Sequence, residues 1–278
     1  MKVALETVEE AQGSGAHSHL TRMGCGAREP IEPPVSFLRD PRALVLAPQL
    51  SARFFFGKEW LVLPSAEVFA SVRAAGGRVV FIDLGAGMFD AGGRTPGAVN
   101  GSSLNWFSAA FKARGALFDE VIAFEARELR AKRLWASMPP ELVPKLRYYN
   151  VPAHAEPGHK LHPWRILVAS PLRLTPRHYV VIKLNIDHAA TELALMCQLL
   201  GDEAGGEAAR PIVDELFWDH HVVGSVLHCP RLWKWREPMG RGWVGSVHNK
   251  SDPQQTLAGS YELLGRLRRM GIRAHSWV

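Results

Sequence analysis

Two acidic residues stand at the ends of two apolar segments that are typical of buried strands. Asp83 follows the run Val79-Val80-Phe81-Ile82, and Glu125 follows the run Val121-Ile122-Ala123-Phe124. After Asp83 the chain continues Leu84-Gly85-Ala86-Gly87, and two glycines at i and i+2 let the backbone turn sharply and approach a ligand closely. A carboxylate at the end of the neighbouring strand can accept both hydroxyls of a ribose. The two strand ends therefore predict a ribose-binding site.

The spacing of these residues departs from the dinucleotide-binding fingerprint. That fingerprint requires a third glycine at position 90, where this chain has Asp90. Asp83 and Glu125 are 125 − 83 = 42 residues apart, about twice the roughly 20 residues expected between a glycine loop and its ribose-binding acid. The surplus lies in residues 88–101, which are rich in glycine and polar residues. This segment is interpreted as a loop insertion beside the site, either a lid or an idle surface loop.

The pair of strand ends resembles class I methyltransferases, which use S-adenosylmethionine. Three further segments resemble the FkbM-type family of these enzymes, in a divergent eukaryotic-type branch. Residues 180–189 are similar to the family's K-x-D-x-E-G-A segment, and residues 150–153 are similar to the segment after its third strand. Residues 213–221 and 271–278 resemble the downstream part of that branch. The resemblance covers the chain from about Val79 to its end.

The resemblance implies a set of site residues. Asp83, Gly85, Ala86 and Gly87 would lie under the S-adenosylmethionine cofactor, and Glu125 would bind its ribose. The implied catalytic residues lie in the fourth predicted strand and directly after it, where the family pattern is altered: Lys183 matches, Asn185 replaces an aspartate, Asp187 replaces a glutamate and His188 replaces a glycine. One carboxylate of the expected pair is therefore missing.

Lys183 and Asp187 are the predicted catalytic residues. Asp187, oriented by Lys183, would align the methyl acceptor and help to remove its proton. An ion pair between the two residues that only fixes the end of the strand is the alternative. His188 could also supply a base, since imidazole titrates near neutrality.

The resemblance implies an S-adenosylmethionine-dependent methyltransferase that methylates a hydroxyl of a small molecule or a sugar. Because of the altered residues Asn185 and His188, a catalytically inactive binding or scaffold protein is the alternative. A nicotinamide-dependent oxidoreductase is a third interpretation, which Asp90 disfavours.

Acidic and histidine residues near the C-terminal half raise the question of a metal site. They are Asp214, Glu215, Asp219, His220 and His221. Adjacent histidines on a strand point to opposite faces, and no H-x-x-x-H spacing occurs, so no metal site is predicted. Glu215 or Asp219 is instead expected to line the pocket. Trp233, Trp235 and Trp243 either stack on a sugar or base or belong to the core.

Strands that alternate with helices predict one α/β domain with a doubly wound, mostly parallel, Rossmann-like sheet. The predicted strands cover residues 79–82, 121–124, 146–151, 179–186, 212–218 and 272–278. The predicted helices begin at or near residues 65, 104, 126, 189 and 252. Ligands of such sheets bind beyond the carboxyl ends of the strands, where the strand order reverses.

Composition limits the remaining possibilities. The chain has 278 residues, 47% of them hydrophobic, which is enough for one domain over residues 36–278 preceded by a flexible arm at 1–35. The net charge of +6 is spread along the sequence, which disfavours nucleic-acid binding. Three cysteines give no disulfide framework, and no apolar stretch is long enough to cross a membrane. We expect a cytoplasmic protein; the sequence does not predict its oligomeric state.

Overall fold

The computed structural model describes residues 6–7, 30–32, 58, 61–89, 103–169, 171–220 and 257–277. Some of the sequence predictions fall elsewhere. Most of the 88–101 insertion, His221, the tryptophans Trp233, Trp235 and Trp243, and the predicted helix start at Asp252-Pro253 lie outside the described residues.

Six parallel strands form one sheet. In chain order they are β1 (Val79–Leu84), β2 (Glu120–Phe124), β3 (Leu146–Tyr149), β4 (Tyr179–Leu184), β5 (Val213–Trp218) and β6 (Arg273–Ser276). Their order across the sheet is β3-β2-β1-β4-β5-β6, and every neighbouring pair is parallel. Every residue of β1, β4 and β5 is buried, which explains why most of their side chains are apolar. The predicted parallel α/β sheet is confirmed.

Helices cover both faces of the sheet. They are α1 (Ala66–Ala74), α2 (Ser103–Lys112), α3 (Ala131–Ser137), α4 (Pro163–Val168), α5 (Ala189–Leu200) and α6 (Leu257–Arg269). Helices α1, α2 and α3 pack against one face, and α4, α5 and α6 pack against the other. Helix α4, a short helix whose first residue is a proline, was not predicted from the sequence. None of the helices in the described ranges combines the length and apolarity that a membrane span requires.

The strand order reverses between β1 and β4. From β1 the chain moves outwards to β2 and β3, then crosses back to β4 and continues to β5 and β6. In open α/β sheets this reversal opens a crevice at the carboxyl ends of the two central strands. Asp83 of β1 and Lys183 of β4 are register partners near those ends.

Part of the predicted N-terminal arm packs against the domain. Glu6–Thr7 pairs antiparallel with Pro30–Ile31, and both Ile31 and Glu32 are buried. The Glu32 carboxylate accepts a hydrogen bond of 2.9 Å from the Val62 amide. Residues 30–32 are therefore docked, whereas most of residues 1–35 lie outside the described part of the chain.

Glu32 also belongs to a buried cluster of charges beside β5 and β6. The His275 ring lies between two carboxylates, with Nδ1 2.7 Å from Glu32 Oε1 and Nε2 2.9 Å from Glu215 Oε1. Arg273 Nε lies 3.6 Å from Glu215 Oε1, and Arg268 Nη2 lies 3.7 Å from Glu32 Oε1. We call Glu32, Glu215, Arg268, Arg273 and His275 the core network; the five residues are at most 3% exposed.

Candidate functional site

A cavity of about 580 Å³ opens at the carboxyl ends of the central strands. Its wall is formed by the turn after β1, the end of β2, the segment after β3 and residues 185–191 at the start of α5. This is the place where the strand order reverses, and the volume lies within the range of roughly 300–1,000 Å³ typical of small-molecule sites.

The glycine turn after β1 has the backbone that the sequence predicts. Gly85 has φ +92° and Gly87 has φ +62°, in the region that favours glycine. A β-carbon at Gly85 would overlap the carbonyl oxygen of Asn185, so only glycine fits against the end of β4. The amides of Gly85 and Ala86 both donate to the Phe124 carbonyl at 2.9 Å. The turn is thereby fixed to the end of β2.

Asp83 and Lys183 form a buried ion pair under this turn. Lys183 Nζ lies 3.0 Å from Asp83 Oδ1 and donates a hydrogen bond of 2.6 Å to the Gly85 carbonyl. The Ser103 hydroxyl at the start of α2 donates to Asp83 Oδ2 at 2.6 Å. Lys183 pairs with Asp83 because the two residues are register partners, and the alternative of a Lys183–Asp187 ion pair is not what the structure shows. Lys183 thus holds the glycine turn in place, and it does not position Asp187.

Glu125 lies across the same turn from the end of β2. The carboxylate is 6% exposed, and it accepts hydrogen bonds of 2.8 Å from the amides of Gly87 and Arg127. Arg127 Nε also donates to Glu125 Oε1 at 3.1 Å, but the Arg127 side chain is 76% exposed. A ligand hydroxyl can therefore replace the guanidinium without disturbing the core.

Two side chains from the end of β3 support this arrangement. The Tyr148 hydroxyl donates to the Gly87 carbonyl at 2.7 Å. Burial, together with the nearby Glu125 and Asp83 carboxylates, raises the pKa of Tyr148, so the hydroxyl stays a donor at neutral pH. Asn150 Nδ2 donates to the carbonyls of Glu125 and Arg127, at 2.8 and 2.5 Å. The sequence analysis did not assign either residue a role here.

Asp187 lies on the cavity wall, with its side chain exposed, in the loop between β4 and α5. Its φ of +58° is unusual for a residue other than glycine. Glu192 holds the loop: its Oε1 accepts from the amides of Ile186 at 2.8 Å and Asp187 at 3.1 Å, and its Oε2 accepts from Trp218 Nε1 at 3.3 Å. Sequence reasoning missed Glu192, although an acid on the inner, apolar face of a predicted helix is a signal for such a role.

His188 caps helix α5. Its Nδ1 accepts a hydrogen bond of 3.3 Å from the Thr191 amide and lies 2.9 Å from the Thr191 hydroxyl. The lone pair that a base would need at Nδ1 is thus occupied by the helix end. We assign His188 to the N-cap.

Glu215 and Asp219 do not contribute to the cavity wall. Glu215 is fully buried in the core network, where its Oε2 also accepts from the Tyr179 hydroxyl at 3.1 Å. Asp219 is 6% exposed and follows β5. Asp214 accepts from the Val180 amide at 2.8 Å. Within the described residues, no group of three or more histidines, cysteines and acids is placed to hold a metal ion.

Asn185, a residue of the cavity wall, carries a buried acceptor oxygen. Its side chain lies at the end of β4 on the cavity wall, and its Oδ1 is buried with no hydrogen-bond partner among the described residues. A buried amide oxygen without a partner costs free energy, which a ligand N–H or O–H would recover. The site thus combines a carboxylate suited to a ribose, an unused acceptor and a volume suited to a nucleoside. No family model, curated protein or solved structure matches the chain.

Proposed function

We propose that the protein is an S-adenosylmethionine-dependent methyltransferase that acts on a hydroxyl group of a small molecule or sugar. The observation that carries the proposal is the placement of Glu125. Its buried carboxylate crosses the Gly85–Gly87 turn at the wall of the cavity, at the reversal of strand order. A ribose-binding acid beside a glycine turn is the arrangement that adenosine-containing cofactors require.

The residues present fit this cofactor. Glu125 would accept the two ribose hydroxyls, one at each carboxylate oxygen, in place of Arg127. Phe124, Pro152 and Ala153 are among the residues that line the cavity, and their side chains would pack against the adenine ring. Asn185 Oδ1 would accept from the ammonium group of the cofactor.

When bound, the cofactor would supply a methyl group carried on a sulfonium. The oxygen of the acceptor hydroxyl would bond to that methyl group, the electron pair of the broken S–C bond would stay on sulfur, and the hydroxyl proton would leave. The protein must align the acceptor and receive that proton. Lys183 contributes by holding the Gly85 carbonyl and neutralising Asp83. Asp187, exposed on the cavity wall, is the carboxylate we assign to orienting the acceptor hydroxyl.

One observation favours a nicotinamide-dependent oxidoreductase as the second candidate. The strand order β3-β2-β1-β4-β5-β6 is the usual one of dinucleotide-binding folds. In those folds a helix follows the glycine turn directly and binds the pyrophosphate at its N-terminus. Here α2 begins at Ser103, 103 − 87 = 16 residues after Gly87, and its first hydroxyl is bonded to the Asp83 carboxylate. The negative charge of a carboxylate at this helix end would repel a pyrophosphate.

Calorimetric titration with S-adenosylhomocysteine, NAD and NADP in parallel tests the proposal. We expect S-adenosylhomocysteine to bind in the micromolar range, about −8 kcal/mol, and both dinucleotides to bind more weakly. Tighter binding of NAD or NADP would establish the oxidoreductase instead. A folded protein that binds none of the three would exclude both functions. Binding without methyl transfer across a set of sugars and hydroxyl compounds would indicate the inactive binding protein.

A further inference from the structure

The carboxyl ends of β5 and β6 form the other half of the sheet edge, next to the cavity. Asp219 follows β5, and its amide donates to the Leu184 carbonyl at 3.0 Å. Trp277 follows β6, and its amide donates to the Trp218 carbonyl at 2.9 Å. These two hydrogen bonds keep the strand ends level, so Asp219 and Trp277 lie on the same edge as Lys183.

Lys58 lies at this half of the edge. Its ammonium nitrogen is 4.3 Å from the centre of the Trp277 ring, the geometry of a cation–π contact. Asp219 attracts its charge and Lys183 repels it, so both residues lie within electrostatic reach of the amine. Lys58 therefore lies on the side of Lys183 that faces β5 and β6.

The backbone of Lys58 is also unusual. Its φ is +54°, and its carbonyl accepts a hydrogen bond of 3.1 Å from the Leu61 amide. Among the described residues other than glycine, only Lys58, Arg173 and Asp187 have positive φ. Such conformations cost free energy and occur often at functional sites. Two of the three residues thus lie at the carboxyl edge of the sheet.

Burial and the nearby Lys183 oppose the charged form of Lys58, whereas Asp219 and the Trp277 ring favour it. Burial lowers its pKa, Asp219 partly offsets that effect, and Lys183 lowers it further, to about 8. Side chains are most effective as proton acceptors when their pKa is near the working pH. Lys58 as a whole residue is half-buried.

We propose that Lys58 is the residue that receives the proton of the acceptor hydroxyl; this proposal rests on the proposed methyltransferase function. Glu125 and the apolar wall lie on the β2–β3 side of the cavity, so the reacting end of the cofactor would point towards β4 and β5. An acceptor would then approach from the side of Lys58. As its oxygen takes the methyl group, the neutral amine takes the hydroxyl proton, becomes an ammonium ion beside Asp219, and releases that proton to water.

The test measures how fast an acylating reagent, N-acetoxysuccinimide, modifies Lys58 in the full chain between pH 6.5 and 10. Peptide mass spectrometry follows each lysine separately, without cofactor, with S-adenosylmethionine and with S-adenosylhomocysteine, at saturation as judged by calorimetry. Lys112 is the internal reference. It is exposed at the far end of the ten-residue helix α2, about 15 Å from the helix start beside Asp83.

Without cofactor, the rate at Lys58 should be half-maximal near pH 8. With S-adenosylmethionine the midpoint should lie about one pH unit lower than with S-adenosylhomocysteine, because only the former has a sulfonium charge, which would lie near the amine. Comparing two ligands of nearly equal size cancels any change in access of the reagent. The rate at Lys112 should be the same in both complexes. Asp219→Asn should lower the Lys58 midpoint further, since it removes the charge that stabilises the ammonium form.

Three results would overturn the proposal. If both ligands bind and the Lys58 midpoint is the same in the two complexes, Lys58 does not face the methyl group, and the proposed function still stands. A midpoint above about pH 9 with S-adenosylmethionine would leave the amine charged at neutral pH, unable to accept a proton. If neither ligand binds to the folded chain, the methyltransferase function fails, and the role of Lys58 fails with it.

Discussion

The core network and the charged cluster at the carboxyl edge of the sheet both hold buried charges, and they differ in how much of each cluster a ligand could reach. The core network encloses its charges: two carboxylates face two guanidinium groups and one imidazole, all nearly inaccessible to water. The cluster at the carboxyl edge, formed by Asp83, Lys183, Glu125 and Arg127, has one exposed member, Arg127, and borders a cavity. A cluster that contributes only to folding can be closed, whereas a binding site must keep groups that a ligand can reach.

The largest expected effect is the loss of stability when the core network is broken. Glu215→Gln removes the carboxylate between Arg273 and His275 and leaves buried positive charge without a counterion. We expect a loss of about 3–5 kcal/mol in the free energy of unfolding, measured with urea. Asp202→Asn, which breaks the exposed pair with Arg266, is the control and should cost less than about 1 kcal/mol. Equal losses in the two variants would mean that the core network does not stabilise the fold.

Breaking the Asp83–Lys183 pair should affect both stability and binding. Lys183→Met leaves Asp83 with only the Ser103 hydroxyl, and we expect a loss of about 3 kcal/mol in stability. The affinity for S-adenosylhomocysteine should fall as well, because the Gly85 carbonyl loses its donor. Adding Asp83→Asn should restore much of the stability but not the affinity. If the double variant also regained binding, the pair would have no role at the glycine turn beyond charge balance.

Glu125→Ala should weaken S-adenosylhomocysteine binding with less effect on stability. The loss of charge-assisted hydrogen bonds to the ribose corresponds to about 1.5–3 kcal/mol, or roughly 10- to 150-fold in affinity by calorimetry. Glu128→Ala removes an exposed acid three residues further along and is the matched control. An unchanged affinity in Glu125→Ala would contradict the assignment of Glu125 to the ribose.

The core network should make stability depend on pH. Burial opposes the charge of His275, but Glu32 and Glu215 on either side raise its pKa overall. The contribution of His275 to the free energy of unfolding is therefore complete below about pH 6.5, the ordinary pKa of histidine. It is lost as the pH rises through the raised pKa of His275. Burial alone would raise the pKa of Glu32, but His275 and Arg268 lower it below its ordinary value overall. The contribution of Glu32 to stability is therefore lost only in acid.

Urea unfolding from pH 5 to 9 measures this dependence, with His275→Gln as the comparison. The loss of stability above pH 6.5 should be smaller in the variant than in the parent chain, since the variant has no imidazole to deprotonate. Parallel pH profiles would show that His275 does not titrate in this range.

The smallest effect on stability is expected at Asp187, at the carboxyl edge of the sheet. Asp187→Asn should change stability by no more than about 0.5 kcal/mol, because the side chain is exposed and asparagine tolerates a positive φ. The affinity for S-adenosylhomocysteine should be nearly unchanged, so any loss of methyl transfer could be assigned to the acceptor. A melting temperature well below that of the parent chain would show that Asp187 supports the fold instead.

The sequence predicted all six strands of the parallel sheet and the carboxylates at the ends of two of them, but not the short strands Glu6–Thr7 and Pro30–Ile31. Runs such as Val79–Ile82 are apolar at every position, which is the local requirement for a strand covered on both faces. Glycine at positions 85 and 87 likewise indicated a turn with positive φ, and at position 85 a β-carbon would overlap the Asn185 carbonyl. The short helix α4 escaped prediction because six residues are too few to show a helical period.

Contacts between distant segments were decided by the tertiary structure alone. Lys183 pairs with Asp83 because parallel register places β1 beside β4, although Asp187 is nearer in sequence. Glu32 meets His275 across 243 residues, and Lys58 meets Trp277 across the edge of the sheet. Burial leaves each charge only the partners that the strand order brings within reach, and that order follows from the packing of the whole sheet. A sequence pattern determines which residues end a strand, but the assembled sheet determines which of those residues meet.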